Sequence, residues 1–200
     1  MPDYLRLPHA EAGNTIGVFG GSFNPPHPGH LMVARTALQR VGLDQVWWMV
    51  SPGNPLKDHS ELLSLDERVA RVRQLASHPK MRVCAYEKTL GSAFTAHTVA
   101  ELKRRRPHLK FLWIMGGDNL AEFHRWRQWR EILENLPVIV VNRPGATLSP
   151  LFAPMSITYS GARVPEQNAR RIKNEEAPAW TFLHGPLDDT SSSSLRERSD

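Results

Sequence analysis

The chain has 200 residues, a formal net charge of +5 and one cysteine, Cys84. An apolar share of 40% against a charged share of 22% excludes an intrinsically disordered chain and suits a globular one. No run of about 18 apolar residues is present to span a membrane, and a lone cysteine excludes an internal disulfide, so the reducing cytoplasm is the expected compartment.

Residues 1–14 lack the apolar core of a signal peptide and read as a flexible N-terminal extension. "TIGVF" (15–19) predicts a short buried strand. After the loop "GGSFNPPHPGH", the stretch "HLMVARTALQRVG" (30–42) predicts a helix ended by Gly42. "QVWWMV" (45–50) predicts the next strand, and "SPGNPLKDHS" (51–60) a loop set by prolines, glycine and asparagine. In "SLDERVARVRQLAS" Ser64 and Glu67 have capping-box spacing, and Val69, Val72 and Leu75 recur at helical spacing. "MRVCAY" (81–86) predicts a strand and "TAHTVAELKRRR" (95–106) a helix stopped before Pro107. "KFLWIM" (110–115) is the clearest buried strand; "GGDN" and a helical stretch to about Leu136 follow, then a strand in "PVIVV" (137–141). "APAWTFL" (177–183) predicts a last strand, and "TSSSSLRERS" (190–199) a loop entering a short helix.

Strands alternating with helices imply βαβ units. The fold class is therefore α/β: a Rossmann-like, doubly wound, mostly parallel sheet with helices on both faces, in a single domain spanning 1–200. Ligands of such sheets bind outside the strand C-termini, where the strand order reverses. The chemically rich loops "GGSFNPPHPGH", "SPGNPLK" and "GGDN" all follow predicted strands.

The first of these loops carries the strongest chemistry. Gly20 and Gly21 can present bare backbone N–H groups, and the glycine backbone also permits positive φ. The helix starting near Gly29 adds unsatisfied donors and a partial positive charge, which suits an anion. His27 and His30, at i and i+3, straddle the loop-to-helix junction. No GK[ST] follows the glycines and no G-x-G-x-x-G is present, which disfavours a P-loop or a dinucleotide fingerprint. A zinc site would need more ligands than two histidines, and a purely structural turn is the remaining alternative. The sequence pI of about 9.7 favours an anionic partner. "KRRR" (103–106) and "ARRIK" (169–173) read as solvated helix faces, while the interleaved Arg and Trp of "HRWRQWR" (124–130) raise a nucleic-acid-binding alternative.

"GGSFNPPHPGH" resembles the N-terminal signature of the H-x-G-H nucleotidyltransferases, in the version found in nicotinate- and nicotinamide-mononucleotide adenylyltransferases. The resemblance continues along the chain. "SPGNPLK" is similar to a loop whose basic residue, here Lys57, meets phosphate. "SAFTAHTVAEL" resembles the bacterial S-Y-T-x-D-T-[LV], with Phe94 in place of tyrosine and His97 in place of aspartate. "WIMGGDNLAEFHRWRQWREIL" resembles F-I-x-G-x-D-x-[LM]…W, "VVNRPG" a turn containing Arg143, and "TSSSSLRER" resembles I-S-S-T-x-[IL]-R. The resemblance implies an ATP site of Gly20, Gly21, His27, His30, Gly116, Asp118, Ser191, Ser192, Ser193 and Arg196. In it Asp118 would bind the ribose, and residues 186–200 would form a phosphate-binding loop and short helix. It implies a mononucleotide site of Ser22, Phe23, Lys57, Thr95 and Trp126, with Trp126 against the pyridine ring and Trp129 mainly in the core.

The implied reaction is adenylyl transfer from ATP to nicotinate mononucleotide, giving deamido-NAD and pyrophosphate in NAD biosynthesis. His27 and His30 would be the catalytic pair, stabilising phosphate charge without a strong general base. Mg²⁺ is expected with ATP, without a protein metal site of its own. Nicotinamide mononucleotide is the alternative acceptor, and neither nucleic acid nor membrane is among the expected partners.

Overall fold

A computed structural model of the chain describes residues 2–53, 62–92, 94–142 and 149–185. Among these residues seven strands form one parallel sheet: β1 (Thr15–Gly21), β2 (Gln45–Val50), β3 (Met81–Cys84), β4 (Lys110–Gly116), β5 (Val138–Asn142), β6 (Arg163–Val164) and β7 (Trp180–His184). The order is β3-β2-β1-β4-β5-β7-β6. The chain winds outward from β1 to β3, then returns to lay β4 on the other side of β1. The strand order therefore reverses between β1 and β4, and the C-terminal ends of those two strands flank the crevice.

Period-two alternation divides the apolar residues between two cores. Trp47 and Trp48, adjacent on β2 and both fully buried, face opposite sides. Trp47 joins Phe111, Trp113 and Val138 under α4 (Thr95–Arg105), α5 (Gly117–Glu122), α6 (Trp129–Asn135) and α7 (Pro154–Thr158). Trp48 joins Phe19, Leu112 and Ile139 under α1 (Pro28–Ala37) and α2 (Leu65–Leu75). The Rossmann-like α/β class expected from the alternation of elements is thus the one observed.

Several boundaries differ for physical reasons. β1 runs two residues beyond the apolar run, because Gly20 and Gly21 continue the pairing with Met49 and Val50. The segment after β3 turns into a short helix, α3 (Glu87–Leu90), instead of extending the strand. The helical stretch expected up to about Leu136 is broken: α5 passes into a turn at Phe123–Arg125, Trp126 is extended, and Gln128 has φ +55°. Phe123 and Trp129 are six residues apart and would point about 120° apart around one straight helix. The break lets both bury in the same core, with their rings 5.9 Å apart.

Residues 2–14, expected as a flexible extension, are instead tied down. Tyr4 donates to Asp66, Arg73 pairs with Asp3 at 3.0 Å, and Ala85 N–H donates to Tyr4 O at 2.7 Å. Leu7 and Ala10 pack on the core. Tyr4 and Leu5 pack on the other core, so apolar contacts and polar anchors together hold a segment that no single motif marks as structured. The "KRRR" cluster is a solvated face, with Arg104 and Arg105 both paired to Glu101. No helix among the described residues is long and apolar enough to cross a membrane.

Candidate active site

A cavity of about 570 Å³ opens at the crevice between the ends of β1 and β4. The described residues expected in the site all line it: Gly20, Gly21, Ser22, Phe23, His27 and His30 from the β1 end; Gly116 and Asp118 from the β4 end; Thr95 and Trp126 from the far wall. Lys57, Ser191, Ser192, Ser193 and Arg196 lie outside the described residues, as does Arg143.

The histidine pair is built by the helix start. His27 is the extended residue that caps α1, and His30 lies in its first turn. The His27 backbone N–H donates to His30 Nδ1 at 3.2 Å, and the two rings lie 3.7 Å apart at 33°. A ring nitrogen that accepts carries no proton, so neutral His30 holds its proton on Nε2. Phe23 stands edge-on against His30 at 5.1 Å and also packs on Phe19 and Trp48. Phe23 is only 2% exposed and takes φ +48°, a left-handed backbone that is costly for a bulky side chain. The buried ring braces His30 from below while also lining the cavity. Among the described residues no group of three or more His, Cys, Asp or Glu side chains is placed to hold a metal ion.

The glycines have a different reason from the one their position suggests. Neither Gly20 nor Gly21 has positive φ. A Cβ on Gly20 would come within 2.6 Å of the Trp113 ring, and one on Gly21 within 3.1 Å of Phe23. The rings beneath the loop occupy the space a side chain would need. Across the crevice Gly116 likewise leaves room for the Asp118 carboxylate, which folds back over it from the first turn of α5.

Two charged residues that sequence reasoning missed organise the walls. Arg68, on α2 and 1% exposed, spends its guanidinium on backbone carbonyls: Leu63 O at 2.9 Å, Ser22 O at 2.8 Å, Ser51 O at 2.7 Å and Pro52 O at 3.2 Å. It ties the loop after β1 to the loop after β2, and the planar fork of arginine suits this job. Its signal was indistinct, an arginine amid other charges in an amphipathic helix. Glu87, the first residue of α3, is 3% exposed and lines the cavity. Thr98 Oγ1 donates to its Oε1 at 2.8 Å. Burial pushes its carboxyl up to about 7, against the smaller opposing effect of the Thr98 hydrogen bond.

The far wall is aromatic. Trp126 stands edge-on against Trp113 and Phe123, with ring centroids at 6.4 and 5.3 Å. Trp129 is 8% exposed and belongs to the core. Phe94, where the resembling family has tyrosine, carries the Arg127 guanidinium over its ring at 4.7 Å. Arg125 and Arg127 both line the cavity, so part of the "HRWRQWR" charge faces the site.

Residues 18–198 match the model of the cytidylyltransferase-like family. A protein of Agrobacterium fabrum named "Probable nicotinate-nucleotide adenylyltransferase" is 54% identical over 181 residues, covering 90% of this chain and 97% of that protein. Proteins of the same name from Rhizobium johnstonii and Methylorubrum extorquens are 51% and 53% identical, covering 96% and 92% of this chain and 97% and 99% of theirs. Among solved structures, the nicotinic acid mononucleotide adenylyltransferase of Plasmodium falciparum complexed with NaAD shares the fold. Its TM-score is 0.62 at 17% identity, over 92% of this chain and 83% of that one. With most of its length matched in this way, the chain belongs to the cytidylyltransferase-like nucleotidyltransferases and, within them, to the nicotinate-nucleotide adenylyltransferase family.

Proposed function

We infer that this chain transfers the adenylyl group of ATP to nicotinate mononucleotide, forming nicotinate adenine dinucleotide and pyrophosphate in NAD biosynthesis. The observation that carries the reading is the convergence of the His27–His30 pair, Asp118 and the Thr95–Trp126 wall on one cavity at the strand-order reversal. A phosphate oxygen of the mononucleotide attacks the α-phosphorus of ATP in line. The bond from the α-phosphorus to the bridging oxygen breaks, and pyrophosphate leaves with the electron pair. The attacking phosphate is already anionic near neutral pH, so the protein's work is positioning and charge stabilisation. His27 and His30, at the N-terminus of α1, stabilise the charge that develops on the phosphates. Asp118 accepts from the adenosine ribose hydroxyls. Trp126 lies against the pyridinium ring, a cation that an aromatic face attracts. Mg²⁺ arrives on ATP as part of the substrate and screens its phosphate charge. The same reading places the protein in the cytoplasm, in keeping with its single buried cysteine.

The test is pyrophosphate release from MgATP, with nicotinate and nicotinamide mononucleotide as separate acceptors. Turnover with nicotinate mononucleotide, faster than with its amide, is expected. Absence of turnover with either acceptor refutes the reading. Isolation of a labelled adenylyl-enzyme formed without acceptor refutes direct attack in favour of a covalent histidine intermediate.

A further inference from the structure

Glu87 is an unusual residue to find in a nucleotide cavity, since it is an acid buried beside a site for anions. Its one hydrogen-bond partner among the described residues is the Thr98 hydroxyl, and it has no ion pair there. A buried carboxylate without a cation costs several kcal/mol, so such a group ordinarily keeps its proton. The fold itself does not call for a carboxyl at this point, because Thr98 also lies within 3.5 Å of Phe94 O as an alternative acceptor. What Glu87 does reach is the cavity, whose lining also includes Phe94, Thr95 and Trp126.

We propose that Glu87 is a specificity-determining residue, presenting a carboxylic acid O–H to the substituent on the acceptor's pyridine ring and so selecting a ring carboxylate over a ring carboxamide. The inference rests on the acceptor being a pyridine mononucleotide. Thr98 donates to Oε1, which leaves the acid's own proton on Oε2. An O–H donated to a carboxylate is a charge-assisted hydrogen bond, roughly twice as strong as a neutral one. Once Glu87 ionises, the preference reverses. Two carboxylates then face each other, whereas an amide offers its NH₂ to the anion.

Among the described residues, the groups packed against Glu87 are uncharged, exposed or paired elsewhere. On its own helix Lys88 is exposed. From β3 it faces the Cys84 thiol, which burial pushes up to about 12. From α4 it faces the uncharged Thr98; His97 of that helix is exposed, and Glu101 is held down to about 2 by Arg104 and Arg105. In the N-terminal turn Asp3 is paired with Arg73, and Tyr4 with Asp66. Among the described residues, the remaining charged or titratable groups lining the cavity are Asp118, Arg125, Arg127, His27 and His30. The histidines serve the phosphates, which both acceptors share, so their contribution cancels in a ratio of acceptors.

The experiment measures kcat/KM for nicotinate and nicotinamide mononucleotide from pH 6 to 8.5, in wild type, Glu87→Gln and Thr98→Val. In wild type the ratio is expected to fall about tenfold as pH rises, a size set by one charge-assisted hydrogen bond. In Glu87→Gln the ratio becomes independent of pH. In Thr98→Val the fall moves to higher pH, because the lost hydrogen bond no longer favours the ionised acid. A wild-type ratio that is flat with pH overturns the proposal while leaving the nicotinate reading intact. So does a fall that persists unchanged in Glu87→Gln. Absence of turnover with either mononucleotide in wild type overturns the functional reading itself, and the proposal with it.

Discussion

Replacing Glu87 by glutamine should make the protein more stable at alkaline pH. A free glutamate carboxyl titrates near 4.5, whereas burial lifts this one to about 7. The folded state therefore holds a proton that the unfolded chain has released between those values. Stability associated with the neutral acid is fully present below pH 4.5 and is lost as pH rises through about 7. A shift of about 2.5 units at about 1.4 kcal/mol each corresponds to about 3 kcal/mol. Glutamine keeps the size and an acceptor for Thr98 but does not ionise. Guanidinium unfolding of both proteins at pH 4.5 and 8.5 gives the answer as a difference of differences. The other titrating groups, Glu101 among them, cancel between the two proteins. The variant should gain about 3 kcal/mol relative to wild type between the two pH values. Parallel stability curves over that range would refute a buried, cation-free acid at this position.

Three substitutions test the rest of the site. His30→Ala should keep its circular dichroism and unfolding midpoint while kcat falls at least about 100-fold, consistent with loss of one charge-stabilising donor; near-wild-type turnover would remove the histidine pair from the mechanism. Arg68→Met should destabilise the fold by on the order of 3 kcal/mol, since it leaves part-buried carbonyls of Leu63, Ser22 and Ser51 without their donor; chemical unfolding measures it, and a loss under about 1 kcal/mol would show that these carbonyls find other partners. Gly20→Ala should cost about 1–3 kcal/mol through overpacking against Trp113, 2.6 Å from the new Cβ; an unchanged unfolding midpoint would show that the ring yields.

Much of the fold was legible because local signals agreed with the tertiary structure. The capping box at Ser64 and Glu67 marks the start of α2 as read, with Glu67 N–H donating to Ser64 Oγ at 3.2 Å. The strands at 45–50 and 110–115 were apolar on both faces, as a sheet covered by helices on both sides requires. The segment from 117 to 136 was misread because helix periodicity is a local property, while the break at Gln128 serves two distant aromatics that bury together. The contacts of residues 2–14 were not legible for a related reason. Their anchors, Asp66, Arg73 and Ala85, lie far away in sequence.

The site divides along the same line. His27, His30 and Asp118 stood out because each sits in an ordered motif directly after a strand, where the topology must deliver it to the crevice. Gly20 was found for an incomplete reason: the sequence points to a ligand above it, yet the tighter constraint is the tryptophan below. Arg68 and Glu87 left no such trace. A charged residue on a helix is ordinarily a solvated one, and only the third dimension shows that these two are buried. One is tied to carbonyls of two site loops, and the other lines the cavity with a single hydroxyl beside it. Buried charge is expensive to keep, so its presence is itself informative. At Arg68 the cost is met by hydrogen bonds that shape the loops. At Glu87 the described protein offers too little compensation for the ionised form, so the acid keeps its proton, and the cavity is the place where a ligand can accept it.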